Sequence, residues 1–75
     1  MEFSFDKIAN VLYIRFSYDE ISDTEEIEDG IIIDYNANGK IIGIEILNYR
    51  ERGINLNELV QLSEDEIVPV IIQWQ

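Results

Sequence analysis

Apolar residues alternate with polar ones from the start of the chain: Phe3, Phe5, Leu12, Ile14 and Phe16 are separated by more polar neighbours. A period of two belongs to a strand with one buried face. Asp6, Lys7 and Asn10 interrupt the alternation, so Phe3 to Ser17 reads as two strands around a short loop. A second hairpin follows. Ile31-Ile32-Ile33-Asp34-Tyr35 and Ile41-Ile42-Gly43-Ile44-Glu45-Ile46-Leu47 flank Asn38-Gly39, a dipeptide favoured in two-residue type I′ turns because both positions take positive φ. With that loop Tyr35 lies opposite Ile42, Ile33 opposite Ile44 and Ile31 opposite Ile46, which makes one face wholly apolar. The other face sets Asn36 against Ile41, Asp34 against Gly43 and Ile32 against Glu45. A three-residue loop would place Ile31 against Glu45 and Ile33 against Gly43 and mix the faces, so the two-residue loop is expected.

After Arg50 to Gly53 the pattern changes. Asn55 followed by Glu58 has the spacing of a capping box, with Ile54 and Leu59 placed as a hydrophobic staple, so a short helix begins there. Leu56, Leu59, Val60 and Ser63 share one side at helical spacing, and Glu58 and Gln61 face water. Two turns are marginal alone, so this helix needs the sheet beneath it. The run Ile67 to Trp74 is apolar and β-prone, but Pro69 lacks a backbone donor and confines it to an edge or a strand start. Residues 67–75 are thus expected to form an edge strand or an oligomer contact. The expected fold is α+β: a small antiparallel β-meander of four or five strands with one short α-helix packed on one face. It forms a single domain over residues 1–75.

Length and composition sharpen this picture. Seventy-five residues suffice for one small domain, and 47% hydrophobic residues are too many for a disordered segment. Five basic residues against sixteen acidic ones give a net charge of −11. Seven of the carboxylates lie between Asp19 and Asp29: Asp19, Glu20, Asp23, Glu25, Glu26, Glu28 and Asp29, with no basic residue among them. This stretch reads as a solvated connection leading into a strand edge, or as a patch for a basic partner through Glu25, Glu26, Glu28 and Asp29. Direct nucleic-acid binding is not expected, because Lys7, Arg15 and Lys40 are scattered and only Arg50 and Arg52 lie close together. No apolar run approaches the roughly 18 residues of a membrane span, and no export signal opens the chain, so a cytoplasmic protein is expected.

The absence of cysteine and histidine removes disulfides, thiolate and imidazole metal sites and the usual nucleophile–base pairs. Carboxylates remain. Asp34, Asn36, Asn38, Gly39 and Glu45 match the spacing of a calcium-binding loop, but that loop needs flanking helices, whereas these flanks are strands. Asp34 and Glu45 as a catalytic pair would need a desolvated cleft that so short a chain hardly offers, so no catalytic residue and no cofactor are assigned. Arg15 shares its side of the strand with Val11 and Tyr13 and is expected to pair with a nearby carboxylate. Of the aromatic residues, Phe3, Phe5, Tyr13, Phe16, Tyr18, Tyr35 and Tyr49 are read mostly as core. Trp74 is read as an interface anchor.

The stretches Phe5 to Ile14, Glu28 to Tyr35 and Asn38 to Leu47, above all Gly43-Ile44-Glu45-Ile46-Leu47, resemble the prokaryotic family of unknown function numbered 2283. The resemblance covers about Phe3 to Leu62. It implies a small antiparallel sheet with one helix, no established activity, and an antitoxin-like or accessory role, since some relatives are encoded beside small toxin-like proteins. Asn10 and Asn36 stand where the family often has aspartate, which weakens any inherited cation site. The function expected is a non-enzymatic acidic interaction module that meets a basic protein. A homodimer is expected through Val70, Ile72 and Trp74, whose apolar surface would otherwise be exposed. The alternative is a small-molecule or weak cation-binding protein using Asp34, Asn36 and Glu45 on the polar face of the 31–47 hairpin.

Overall fold

A computed structural model describes residues 1–73. Five strands, β1 (Glu2–Asp6), β2 (Val11–Arg15), β3 (Asp23–Glu28), β4 (Ile31–Tyr35) and β5 (Ile41–Leu47), form one antiparallel sheet in the order β1-β2-β5-β4-β3. The expected α+β sheet is present. Its meander is β3-β4-β5, and the β1-β2 hairpin joins it where β2 pairs with β5. Residues 16–22 carry the chain past the ends of β5 and β4 to the far edge, so β2 to β5 have Greek-key connectivity.

Among the described residues three helical segments follow the sheet where one was expected: α1 (Tyr49–Arg52), α2 (Leu56–Leu59) and α3 (Glu64–Gln73). Leu12, Ile14, Ile31, Ile33, Ile44 and Ile46 from the strands bury against Ile54, Leu59, Ile67 and Ile71. All helical cover lies on this one face. α2 begins at Asn55 as expected, the Asn55 side chain accepting from the Asn57 N–H at 2.9 Å. It is only one turn long, however, and Leu56 and Val60 are exposed rather than packed on the sheet.

Over the described residues, 67–73, the C-terminal apolar run is helical, not an edge strand. Ser63 and Glu66 form its cap: the Ser63 N–H and hydroxyl each donate to Glu66 Oε1 at 3.0 Å. Three carboxylates, Glu64, Asp65 and Glu66, sit in the first turn at the positive end of the helix dipole. Ile67 and Ile71, four residues apart, then fall on the buried side. Pro69 lies inside the helix and withholds one backbone donor, which burial of the two isoleucines must offset.

The cap makes α3 acid-sensitive. The two Ser63 donors hold the Glu66 carboxyl below its ordinary value, backbone bond first. A depressed folded pKa contributes stability that is present above the ordinary carboxylate range and is lost as pH falls through the folded value. Wild-type protein is therefore expected to lose melting temperature relative to Glu66→Gln on acidification. Thermal melts of both at neutral and acidic pH measure this, and a gap that stays constant with pH would refute it.

The hairpin of β4 and β5 corrects one expectation and keeps another. Asn36 N–H donates to the Lys40 carbonyl at 2.9 Å and Gly39 N–H to the Asn36 carbonyl at 3.0 Å, so the loop holds three residues, Ala37, Asn38 and Gly39. Only Gly39 takes positive φ there, at 79°. Asn36 Oδ1 favours this wider turn by accepting from the N–H groups of Asn38 and Lys40. The pairs Ile31/Ile46, Ile32/Glu45, Ile33/Ile44 and Asp34/Gly43 nevertheless stand as expected. A bulge lets Tyr35 pair with Ile41, so β5 takes up the extra residue at Ile42.

Candidate interaction surface

The face of the sheet away from the helices carries two side-chain rows that cross all five strands. One runs Ser4, Tyr13, Glu45, Ile32 and Glu26; the other runs Glu2, Arg15, Gly43, Asp34 and Thr24. Asp34, only 9% exposed, is the buried charged residue among those described. Its carboxylate accepts from the Tyr13 hydroxyl and from the Thr24 hydroxyl, each at 2.8 Å. Tyr13 reaches it by crossing β5 above Gly43, whose missing side chain leaves room: a Cβ there would stand 2.1 Å from the Tyr13 hydroxyl oxygen. Burial first, then the bond to Asp34 and its negative charge, push the Tyr13 phenol up to about 12. It remains a neutral donor at physiological pH.

Arg15 completes the row. Its guanidinium carbon lies 5.2 Å from the Tyr13 ring centre and 4.9 Å from that of Tyr18, and its Nε is 3.9 Å from Glu2. The expected pairing of Arg15 with a carboxylate is therefore present, and the Tyr18 hydroxyl donates to the same Glu2. Tyr13 and Tyr18 thus belong to the open face, not to the core.

The acidic stretch is not only a connection, because its second half is strand β3, the outer edge of the sheet. Alternation divides the expected partner-binding residues. Glu25 lies opposite Ile33 on the helix-bearing side and accepts from the Tyr35 hydroxyl at 3.3 Å, whereas Glu26 lies opposite Ile32 on the open side. Glu26 turns back to accept from the Gly30 N–H at 3.0 Å. Glu28 and Asp29 reach the turn, where the Asp29 carbonyl accepts from the Arg52 guanidinium at 2.7 Å and the Leu47 carbonyl accepts from its Nε at 2.6 Å. Beside this edge, Ser22, Asp23, Glu25, Tyr35 and Asn36 line an open cleft of about 380 Å³. Burial first, then Glu25, raises the Tyr35 phenol and keeps it protonated.

Of the set Asp34, Asn36 and Glu45, the first two are engaged otherwise. Both Asp34 oxygens hold hydroxyls, and the Asn36 side chain is bonded to its own turn and to Asp19 Oδ2 at 3.0 Å. Among the described residues no group of three or more carboxylates, cysteines or histidines is placed to hold a metal ion. Of the expected dimer contacts, Val70 is half-buried against the core, Ile72 is 37% exposed, and Trp74 lies outside the described residues. No helix among the described residues is long and apolar enough to cross a membrane.

Fold and surface together define a small α+β domain with an open antiparallel sheet, one face helix-covered and one edge acidic. The chain belongs to the family described as Protein of unknown function (DUF2283), which matches residues 2–50 and so takes in the whole sheet. No curated protein and no solved structure matches it.

Proposed function

We propose that this protein is a non-enzymatic module that binds a basic protein along the β3 edge. The observation that carries this reading is the cleft where Asp23, Glu25 and the Tyr35 ring meet, large enough for a lysine or arginine head group. Two carboxylates beside an aromatic ring supply what such a cation seeks: charge, hydrogen-bond acceptors and a π face. The seven carboxylates from Asp19 to Asp29 add a field that speeds and orients the approach of a positive surface. Covering the basic surface of a toxin-like protein is one task such a module performs.

The test separates this edge from net charge. Tagged protein is used to capture partners from a lysate, with recovery read by mass spectrometry at low and high salt. A basic protein recovered in stoichiometric amount and released by salt is expected. The pair Asp23→Asn and Glu25→Gln should abolish its recovery, whereas Glu64→Gln and Asp65→Asn, the same charge change on α3, should not. Equal loss from both pairs would show that charge alone attracts the protein, and the site at β3 would be abandoned.

A further inference from the structure

The two outer edges of the sheet are built differently. β3 carries carboxylates at Asp23, Glu25, Glu26 and Glu28 and a bulge between Glu26 and Glu28, both of which keep a strand edge from pairing with another copy. β1 has neither device in its middle. Between Glu2 and Asp6 run the uncharged Phe3, Ser4 and Phe5, and Phe5 is 39% exposed beside Tyr49, ring centres 5.6 Å apart. Glu-Phe-Ser-Phe-Asp also has the same chemical order in both directions about Ser4.

Backbone parity fits that symmetry. Phe16 N–H donates to the Ile42 carbonyl at 2.9 Å, just past the pair Arg15/Gly43, so Leu12 and Ile14 turn their N–H and C=O groups towards β5. Val11, Tyr13 and Arg15 turn theirs towards β1, where they meet Asp6, Ser4 and Glu2. The N–H and C=O groups of Phe3 and Phe5 are left pointing outward.

We propose that β1 pairs antiparallel with β1 of a second copy across a twofold axis at Ser4, joining two five-stranded sheets into one. In this register Phe3 stands opposite Phe5 of the second copy, and each such pair closes two backbone hydrogen bonds between outward groups. The phenyl rings meet on the helix-bearing face, and Ser4 faces its own copy on the open face. Glu2 stands opposite Asp6, a like-charge pair that each copy already compensates. Glu2 is held by Arg15 and Tyr18, and Asp6 Oδ1 accepts from the N–H groups of Ile8 and Ala9, both at 3.0 Å. A net charge of −11 per copy opposes association, so the dimer tightens as salt rises, opposite to a basic partner at β3. The proposal stands independently of that partner, because β1 and β3 are opposite edges.

A chain without cysteine allows a direct test, since a single thiol can bridge only between copies. Ser4 and its copy would form a non-hydrogen-bonded pair with Cα atoms about 4.5 Å apart, within the span of a disulfide. Mild oxidation of folded Ser4→Cys is expected to give a covalent dimer, while Glu28→Cys on the opposite edge, with the β1 interface intact, gives no covalent dimer. Sedimentation of the unmodified chain should show a reversible dimer whose dissociation constant rises about fivefold with Ser4→Lys at low salt, because two lysines then face each other. Equal cross-linking of both cysteine variants, an unmodified chain of 8.8 kDa at millimolar concentration and high salt, or a dimer indifferent to Ser4→Lys would each overturn the proposal.

Discussion

Replacing Ile67 by alanine is expected to cost about 3 kcal/mol, the usual loss for emptying a fully buried branched side chain in a core that closes only partly. Ile67 has no exposed surface, and with Ile71 it anchors α3 on the sheet. A domain of this size holds only roughly 4 to 11 kcal/mol in all, so the variant should melt some 10 to 20 °C below the parent. Ile72→Ala, on the exposed side, should cost little. Pro69→Ala separates helix from strand: restoring the missing helix donor should raise stability by up to about 3 kcal/mol, whereas on an edge strand it would be neutral. Thermal or urea melts of the three variants decide it, and a Pro69→Ala protein no more stable than the parent would count against the helix.

The second large effect is expected at Gly43. A methyl group there would displace the Tyr13 hydroxyl, so Gly43→Ala should cost about 2 kcal/mol through the lost bond to the Asp34 carboxylate. In a Tyr13→Ala background the three atoms nearest to such a methyl group are gone, and the same substitution should cost well under about 1 kcal/mol. The double-mutant cycle therefore has a coupling term of more than about 1 kcal/mol. Additive losses would mean that Tyr13 does not span Gly43 in solution.

These two positions mark where reading the chain succeeded and where it stopped. Alternation around Asn38-Gly39 located the second hairpin and four of its pairs, because an apolar face tolerates no slip. It missed the loop length, since a bulge at Ile42 keeps the register while the turn widens. Run and composition misled at the C-terminus: Ile67, Val68, Val70, Ile71 and Ile72 are β-branched, and Pro69 argued against a helix interior. The cap was nonetheless written in Ser63 and Glu66, and Ile67 and Ile71 had helical spacing. Asp29-Gly30 is a turn signal of the same kind, with Gly30 at φ 79° between the paired residues Glu28 and Ile31, and it marks the acidic stretch before it as a strand.

The open-face cluster was less accessible. Asp34 was correctly placed opposite Gly43, but Tyr13 reaches it from two strands away, and no local pattern sets β2 beside β5. Carboxylates of the β3 edge were legible as charge, whereas the cleft they share with Tyr35 depends on the turn.

The strand order also bears on how the chain reaches its native state. β1-β2 and β3-β4-β5 close through short loops and can form early. The join between them brings Val11 to Leu47 and Arg15 to Gly43, contacts that must restrict a long stretch of chain before they repay its lost entropy. Docking of the two units is then expected to be the slow step. Until it occurs, the apolar edge of β5 stays uncovered, and the carboxylates of β3 at the other edge of the same unit help keep such a half-assembled chain from clumping with its neighbours.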